Sequence, residues 1–344
     1  MGAACGARYI PAPSRAPLKP RIRILSTGGT LGMLPGEPGT LAPSAVSDNV
    51  LQYMRGLEAE VELSAEGLWN LDSSDMGPEH WTRLAEAIAA RLDDVDGLVV
   101  LHGTDTMAWT AAALSFALRG LPKAVVLTGA QRPIAWVRTD ARNNVVHSAL
   151  CAGMAIPEVT VFFGRWLFRG NRVTKTSIQS YEAFESPNCP PILEMGVEVQ
   201  AGEVPRAAQG PFVVDARFDS RVAVLPVVPG SDGATLDQAV AAGMRGVVVQ
   251  GFGAGNMPQR GWPQAIARAT NAGVAVVVHS QCLRGHVQLG SYEGGRAALD
   301  AGGMSAAWMT LEAATVKLMH GLGRGLEGAA LAEFYTTDLV GEGA

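Results

Sequence analysis

The chain has 344 residues, 48% of them apolar and 17% charged, with a formal net charge of −5. That length supports two domains with cores of their own, and the apolar share excludes a disordered chain. A mildly acidic balance with no basic block argues against nucleic acid as the main partner.

Residues 1–20 carry prolines at positions 11, 13, 16 and 20 and no continuous apolar stretch, so they read as a mobile tail and not as a signal peptide. From Arg21 onward, apolar strand-like runs alternate with amphipathic helical runs. Strands are expected at 21–26, 97–102, 123–128, 158–163, 222–228, 246–250 and 273–278. Helices are expected at 78–92, 105–119, 140–153, 234–242, 261–271 and 310–320. Val and Ala dominate the strands without alternation, the pattern of a parallel sheet covered on both faces. Helix 105–119 is expected to show one apolar stripe, formed by Met107, Ala111, Leu114 and Leu118.

Residues 196–221 are richer in polar, Gly and Pro residues and break the pattern, which restarts at Arg221. The expected fold is therefore α/β with two domains, each a mostly parallel sheet with flanking helices. The N-terminal domain covers 21–200, a linker 201–220, and the C-terminal domain 221–344. Residues 28–47, rich in Gly, Pro and Ser, read as a lid over a site. Cys5, Cys151, Cys189 and Cys282 are far apart and form no CxxC or Cys/His cluster. Reduced thiols and no zinc site are expected, with Cys282 a buried structural cysteine. No apolar run is long enough to span a bilayer, and a cytoplasmic location is expected.

Chemistry concentrates at His102-Gly103-Thr104-Asp105-Thr106-Met107, which follows the apolar run Gly97–Leu101. A hydroxyl and a carboxylate stand side by side where a buried strand hands over to a helix, whose free N–H groups attract negative charge. Thr27-Gly28-Gly29-Thr30 repeats the arrangement after the first strand. Its glycines let the backbone turn tightly and a substrate approach closely, and Thr30 presents a hydroxyl that needs a base or a proton relay to act as a nucleophile. Thr104-Asp105 calls for a cationic or basic partner. Lys175, in the run Arg169–Lys175, is the best candidate, its plain alternative being a solvated loop lysine. His102 reads as a satisfied core histidine. The run Gly253-Ala254-Gly255-Asn256 lacks dinucleotide-binding spacing.

The chain resembles the bacterial-type L-asparaginases, and most the cytoplasmic type I branch. The matching segments run from Ile24 to about Thr315 and include ILSTGGTLGM at 24–33, LDSSDM at 71–76 and LHGTDTMAWTAAALSF at 101–116. LTGAQRPI at 127–134, FRGNRVTKT at 168–176, FESPNCPPILEMG at 184–196, GFGAGNMP at 251–258 and SQC at 280–282 extend the match.

The resemblance implies hydrolysis of the side-chain amide of L-asparagine to aspartate and ammonia, with side activity on glutamine and no metal or cofactor. It implies Thr30 as the nucleophile that forms an acyl-enzyme, with Thr104, Asp105 and Lys175 as a second catalytic group. It further implies that Asp105 holds the substrate α-ammonium, Ser73 the α-carboxylate, and the Ala130 carbonyl the leaving amide. Asn256 would serve a site completed across the subunit interface of a homodimer or homotetramer. One departure stands out. The family's lid tyrosine is replaced here by Thr40, in Glu37-Pro38-Gly39-Thr40-Leu41. Lys175 acting through Thr104 and a water, or Tyr292 swinging in, could take over its role. Otherwise the activity is weak or redirected. An amino-acid-sensing protein of this fold and an amidotransferase-like subunit are the alternatives.

Overall fold

The computed structural model describes residues 19–29, 31, 34–35, 41–42 and 47–343. The tail at 1–18, most of the candidate lid, Thr30 and Thr40 lie outside the described residues. Two compact units divide the chain. The first comprises 1–77, 83–111 and 118–214; the second comprises 78–82, 112–117 and 215–344.

The first unit is built on one eight-stranded sheet. Its strands are β1 (Arg21–Gly28), β2 (Glu62–Leu71), β3 (Gly97–Leu101), β4 (Ala124–Thr128), β5 (Val159–Phe163), β6 (Trp166–Arg169), β7 (Leu193–Met195) and β8 (Val199–Ala201). They lie in the order β8-β7-β6-β5-β4-β3-β1-β2. β2, β1, β3, β4 and β5 are parallel; β6, β7 and β8 add on antiparallel. β3, β4 and β5 are buried at every residue, which explains their unbroken apolar sequences.

One face of this sheet presents Ile22, Ile24, Val99, Leu101 and Val126 to a core shared with two helical segments. Helix α1 (Ser47–Tyr53) supplies Val50 to it, with Met54 just beyond its end. Helix α4 (Ala141–Ala152) supplies Ala141, Val145 and Ala149. The β1-to-β2 and β4-to-β5 connections therefore cross the same face while running in opposite directions along the sheet. The two crossovers have opposite hands, so one of them breaks the right-handed rule.

Between these helices the chain forms α2 (Pro78–Ala89) and α3 (Met107–Ala117). The expected stripe on 105–119 is corrected. Ala108, Thr110, Ala112, Ala113, Ser115 and Phe116 are buried along with Met107, Ala111 and Leu114, so α3 is enclosed on nearly every side. A helix apolar all round is a core helix and has no single inward face. It also ends at Ala117. Leu118 and Arg119 instead pair antiparallel with Val213 and Val214.

His102 directly follows β3. Its ring is buried, with Nδ1 2.7 Å from the Gly103 carbonyl and Nε2 2.9 Å from Thr110 Oγ1. The neutral tautomer fits both: Nδ1–H donates to the carbonyl, and the hydroxyl donates to Nε2. Burial pushes the imidazole down to about 4.

The second unit carries a parallel sheet of β9 (Val222–Pro226), β10 (Gly246–Gly251), β11 (Ala275–Ser280) and β12 (Met304–Ser305), in that order. Its helices are α5 (Ala234–Ala241), α6 (Trp262–Asn271), α7 (Glu293–Asp300), α8 (Leu311–Gly323) and α9 (Gly328–Thr336). Val247, Val249, Val276 and Val278 share a core with Leu236, Trp262, Ile266 and Ala298 of α5, α6 and α7.

Lys317 of α8 and Glu342 form a buried ion pair at 2.5 Å. The ammonium also donates to the Thr337 carbonyl, and the carboxylate accepts from the N–H groups of Leu339 and Val340. This pair fastens residues 337–342 to α8.

Removing one partner leaves a charge buried alone. Lys317→Met is expected to cost about 3–5 kcal/mol of unfolding free energy in urea titrations; a change below about 0.5 kcal/mol would show the pair to be inert. His102 sets a pH dependence. Between about 6.5 and 4 the unfolded chain binds a proton that the folded chain refuses, so stability is complete above this window and declines as pH falls through it. The expected decline is on the order of 3 kcal/mol, and His102→Asn should flatten it. Identical pH profiles for parent and variant would remove His102 from the account.

Candidate active site

β1 and β3 are neighbours, with Leu25 opposite Val100 and Ser26 opposite Leu101. The chain leaves β1 toward β2 and leaves β3 toward β4, in opposite directions across the sheet. This is the point where strand order reverses, and open α/β sheets bind ligands in the crevice at the carboxyl ends of such strands. Both threonine motifs occupy those ends.

Backbone contacts knit the ends together. Thr27 Oγ1 donates to the Leu101 carbonyl at 3.0 Å. Gly29 has φ +91°, and a Cβ there would stand 2.5 Å from the Gly103 nitrogen. A Cβ on Gly103 would in turn stand 2.5 Å from Ser73 Oγ. Glycine is therefore required at both positions for the three segments to meet. Ser73 opens a short helical turn, Ser73–Asp75, begun by Asp72, whose side chain accepts from the Ser74 N–H. Ser73 is buried, and its carbonyl accepts from Thr106 Oγ1 at 2.7 Å.

Lys175 reaches this corner from a two-residue ladder that pairs Thr174–Lys175 with Phe184–Glu185. Its Nζ lies 2.7 Å from Thr104 Oγ1 and 2.7 Å from Asp105 Oδ1. The lysine side chain is 16% exposed, so the solvated-loop alternative is excluded. Asp105 is 68% exposed, which leaves its carboxylate open to a second cation from solvent. Thr104 is buried, and its hydroxyl also faces Gln131 Oε1 at 3.4 Å.

The loop after β4 carries Ala130 and Gln131. Asp140 holds it, accepting from the N–H of Gln131 at 2.9 Å and of Arg132 at 3.1 Å. Burial raises the Asp140 carboxyl above its ordinary value, and these backbone N–H groups work against that rise. Asn144 donates to Asp140 and to the Gly129 carbonyl and accepts from the Gly164 N–H. Ala130 itself is buried.

The structure thus brings Thr104, Asp105, Lys175 and Ser73 to one strand end, with Ala130 on the adjoining loop. Thr30 falls outside the described residues. Asn256 belongs to the second unit, where it closes a tight turn by an N–H bond of 2.7 Å to the Phe252 carbonyl. Tyr292, also in the second unit, is exposed at the start of α7. Cys282 is exposed, which corrects the expectation of a buried structural thiol; Cys151 and Cys189 are buried and free. It lies just beyond β11, past the point where the sheet covers side chains. Gln131 and Asp140 were not singled out from the sequence. The available signal was Gln131 inside LTGAQRPI and a carboxylate just before α4. Among the described residues no group of three His, Cys, Asp or Glu side chains is placed to hold a metal ion. Among them, too, no helix is long and apolar enough to cross a membrane.

Two family models match the chain. "Asparaginase, N-terminal" covers residues 21–205, and "Glutaminase/Asparaginase C-terminal domain" covers 221–334. L-asparaginase 1 of Escherichia coli strain K12 is 37% identical over 331 residues, covering 94% of this chain and 98% of that protein. The thermostable L-asparaginase from Thermococcus kodakarensis has a solved structure that superposes with a TM-score of 0.87 at 33% identity, over 94% of this chain and 99% of that one. L-asparaginase I from Vibrio cholerae O1 does so with a TM-score of 0.86 at 35% identity, over 95% and 100%. With family models spanning most of its length, the chain belongs to the asparaginase family.

Proposed function

We infer that this chain is an L-asparaginase, hydrolysing the side-chain amide of L-asparagine to L-aspartate and ammonia. Within an asparaginase-family chain, the observation that carries the reading is the single ammonium of Lys175 at 2.7 Å from both Thr104 Oγ1 and Asp105 Oδ1. Glutamine is a secondary substrate. The sensing-protein and amidotransferase-subunit alternatives gain no support from the relatives.

In this reading Thr30 Oγ attacks the amide carbon. Its proton passes by way of Thr104 and Lys175 toward the leaving nitrogen, and ammonia departs from a threonine ester. Water then repeats the sequence and releases aspartate. The substrate's α-ammonium pairs with the exposed Asp105 carboxylate, its α-carboxylate with Ser73, and the leaving amide with the Ala130 carbonyl. Asn256 completes the site from a neighbouring subunit in a homodimer or homotetramer. Thr40 stands in the lid where the family has tyrosine, so the relay runs through Lys175 and Thr104. The domains divide at a linker covering 201–220, in keeping with family matches that end at 205 and resume at 221. A cytoplasmic location fits free thiols at Cys151, Cys189 and Cys282.

Ammonia release from L-asparagine by the purified chain tests the reading. Thr30→Ala is expected to lower kcat at least about 1,000-fold, and Lys175→Met by about 100- to 10,000-fold. Asp105→Asn should raise KM by about 10- to 100-fold, as loss of a charge-assisted contact does. A Thr30→Ala protein that keeps a tenth or more of the parent rate, about a single decade of loss, would refute the nucleophile assignment.

A further inference from the structure

The hydrogen bonds around Thr104 have a fixed direction. A lysine ammonium donates and has no lone pair to accept with. At 2.7 Å, Lys175 therefore donates to Thr104 Oγ1. The proton of the Thr104 hydroxyl must find an acceptor elsewhere, and Gln131 Oε1 faces it at 3.4 Å. The amide of Gln131 cannot turn round. Its Nε2 lies 3.2 Å from the Ser180 carbonyl and 3.4 Å from the Ser177 carbonyl. Carbonyls only accept, so the nitrogen must face them and the oxygen must face Thr104.

The loop that supplies these carbonyls is braced. Ser177 Oγ accepts from the N–H groups of Gln179 at 3.1 Å and Ser180 at 3.0 Å. Ser177 also follows Lys175 by two residues, so one short segment carries both the donor to Thr104 and the clamp on Gln131. From the other side, Asp140 fixes the Gln131 backbone. The separation of 3.4 Å is long for a hydroxyl donor, whose bonds cluster near 2.7–2.8 Å. Gln131 thus aims the Thr104 proton without holding it tightly, and a closer water or substrate atom can take it.

We propose that Gln131 is a positioning residue for Thr104, setting the direction in which its hydroxyl gives up a proton. The proposal rests on the asparaginase reading of this site. It deepens that reading by naming the group that orients the relay.

Two variants test it against the parent. Gln131→Met keeps the side-chain length and removes both the acceptor and the donors. Its kcat on L-asparagine should fall about 10- to 100-fold, the scale of a misdirected catalytic group, while KM stays close to the parent's. Gln131→Glu puts a carboxyl against two carbonyls, where its neutral form mimics the amide. Its kcat should recover toward the parent value as pH is lowered through the titration of that carboxyl, a rise on the acid side that neither the parent nor Gln131→Met shows. Parent-like kcat in Gln131→Met overturns the proposal, as does a loss confined to KM. So does an equal loss in both variants at every pH, the mark of a merely structural role. Where Gln131→Met melts at a lower temperature than the parent, the pH profile of Gln131→Glu decides. A parent chain that releases no ammonia from asparagine overturns the asparaginase reading and this proposal with it.

Discussion

Everything in the candidate site depends on the close approach of the ends of β1 and β3. The two strands run in register until both lose sheet structure, and there the chain departs in opposite directions. Side chains at this spot are not shielded by a crossover passing directly overhead, which makes the spot a crevice in a sheet otherwise buried on both faces. The approach is possible only because Gly29 and Gly103 bring no Cβ into a gap of about the width of two backbones. Replacing either would push Ser73, Thr104 and the first threonine motif apart together.

The electrostatics of the corner serve orientation more than stability. The Lys175–Asp105 pair is short, yet Asp105 is 68% exposed. A pair so open to solvent adds about 1 kcal/mol at most to folding. Its value lies in direction: one ammonium, held by a carboxylate, is delivered to a buried hydroxyl that sits at the mouth of a strand. The buried pair Lys317–Glu342 is the opposite case. Both partners are almost fully enclosed and fasten a terminal segment, far from any role in chemistry.

Much of the fold was legible because parallel strands buried on both faces leave unbroken apolar runs. β3, β4 and β5 were expected within a residue or so of where they lie. β2 went unseen because it is an edge strand: half-exposed, it reads Glu-Leu-Ser-Ala-Glu-Gly-Leu-Trp-Asn-Leu, with no long apolar run. α7 went unseen because Gly294 and Gly295 argue against a helix, yet a Cβ on Gly294 would stand 2.0 Å from the Met257 carbonyl. There, close packing overrode propensity. At the site, Thr104-Asp105 was legible as a local motif. Lys175 is 70 residues from Asp105, and only family resemblance could join them. Gln131 acts through the orientation of its amide, which depends on two carbonyls nearly fifty residues away and leaves no local trace.

The central claim is that a threonine at the end of β1 becomes acylated during turnover. Rapid acid quenching of the enzyme with L-asparagine, followed by peptide mapping by mass spectrometry, tests it most directly. The account predicts an aspartyl ester on the peptide that contains Thr30, present during turnover and absent without substrate. An ester found instead on the Thr104 peptide, or full turnover with no trapped ester on any threonine, would contradict it.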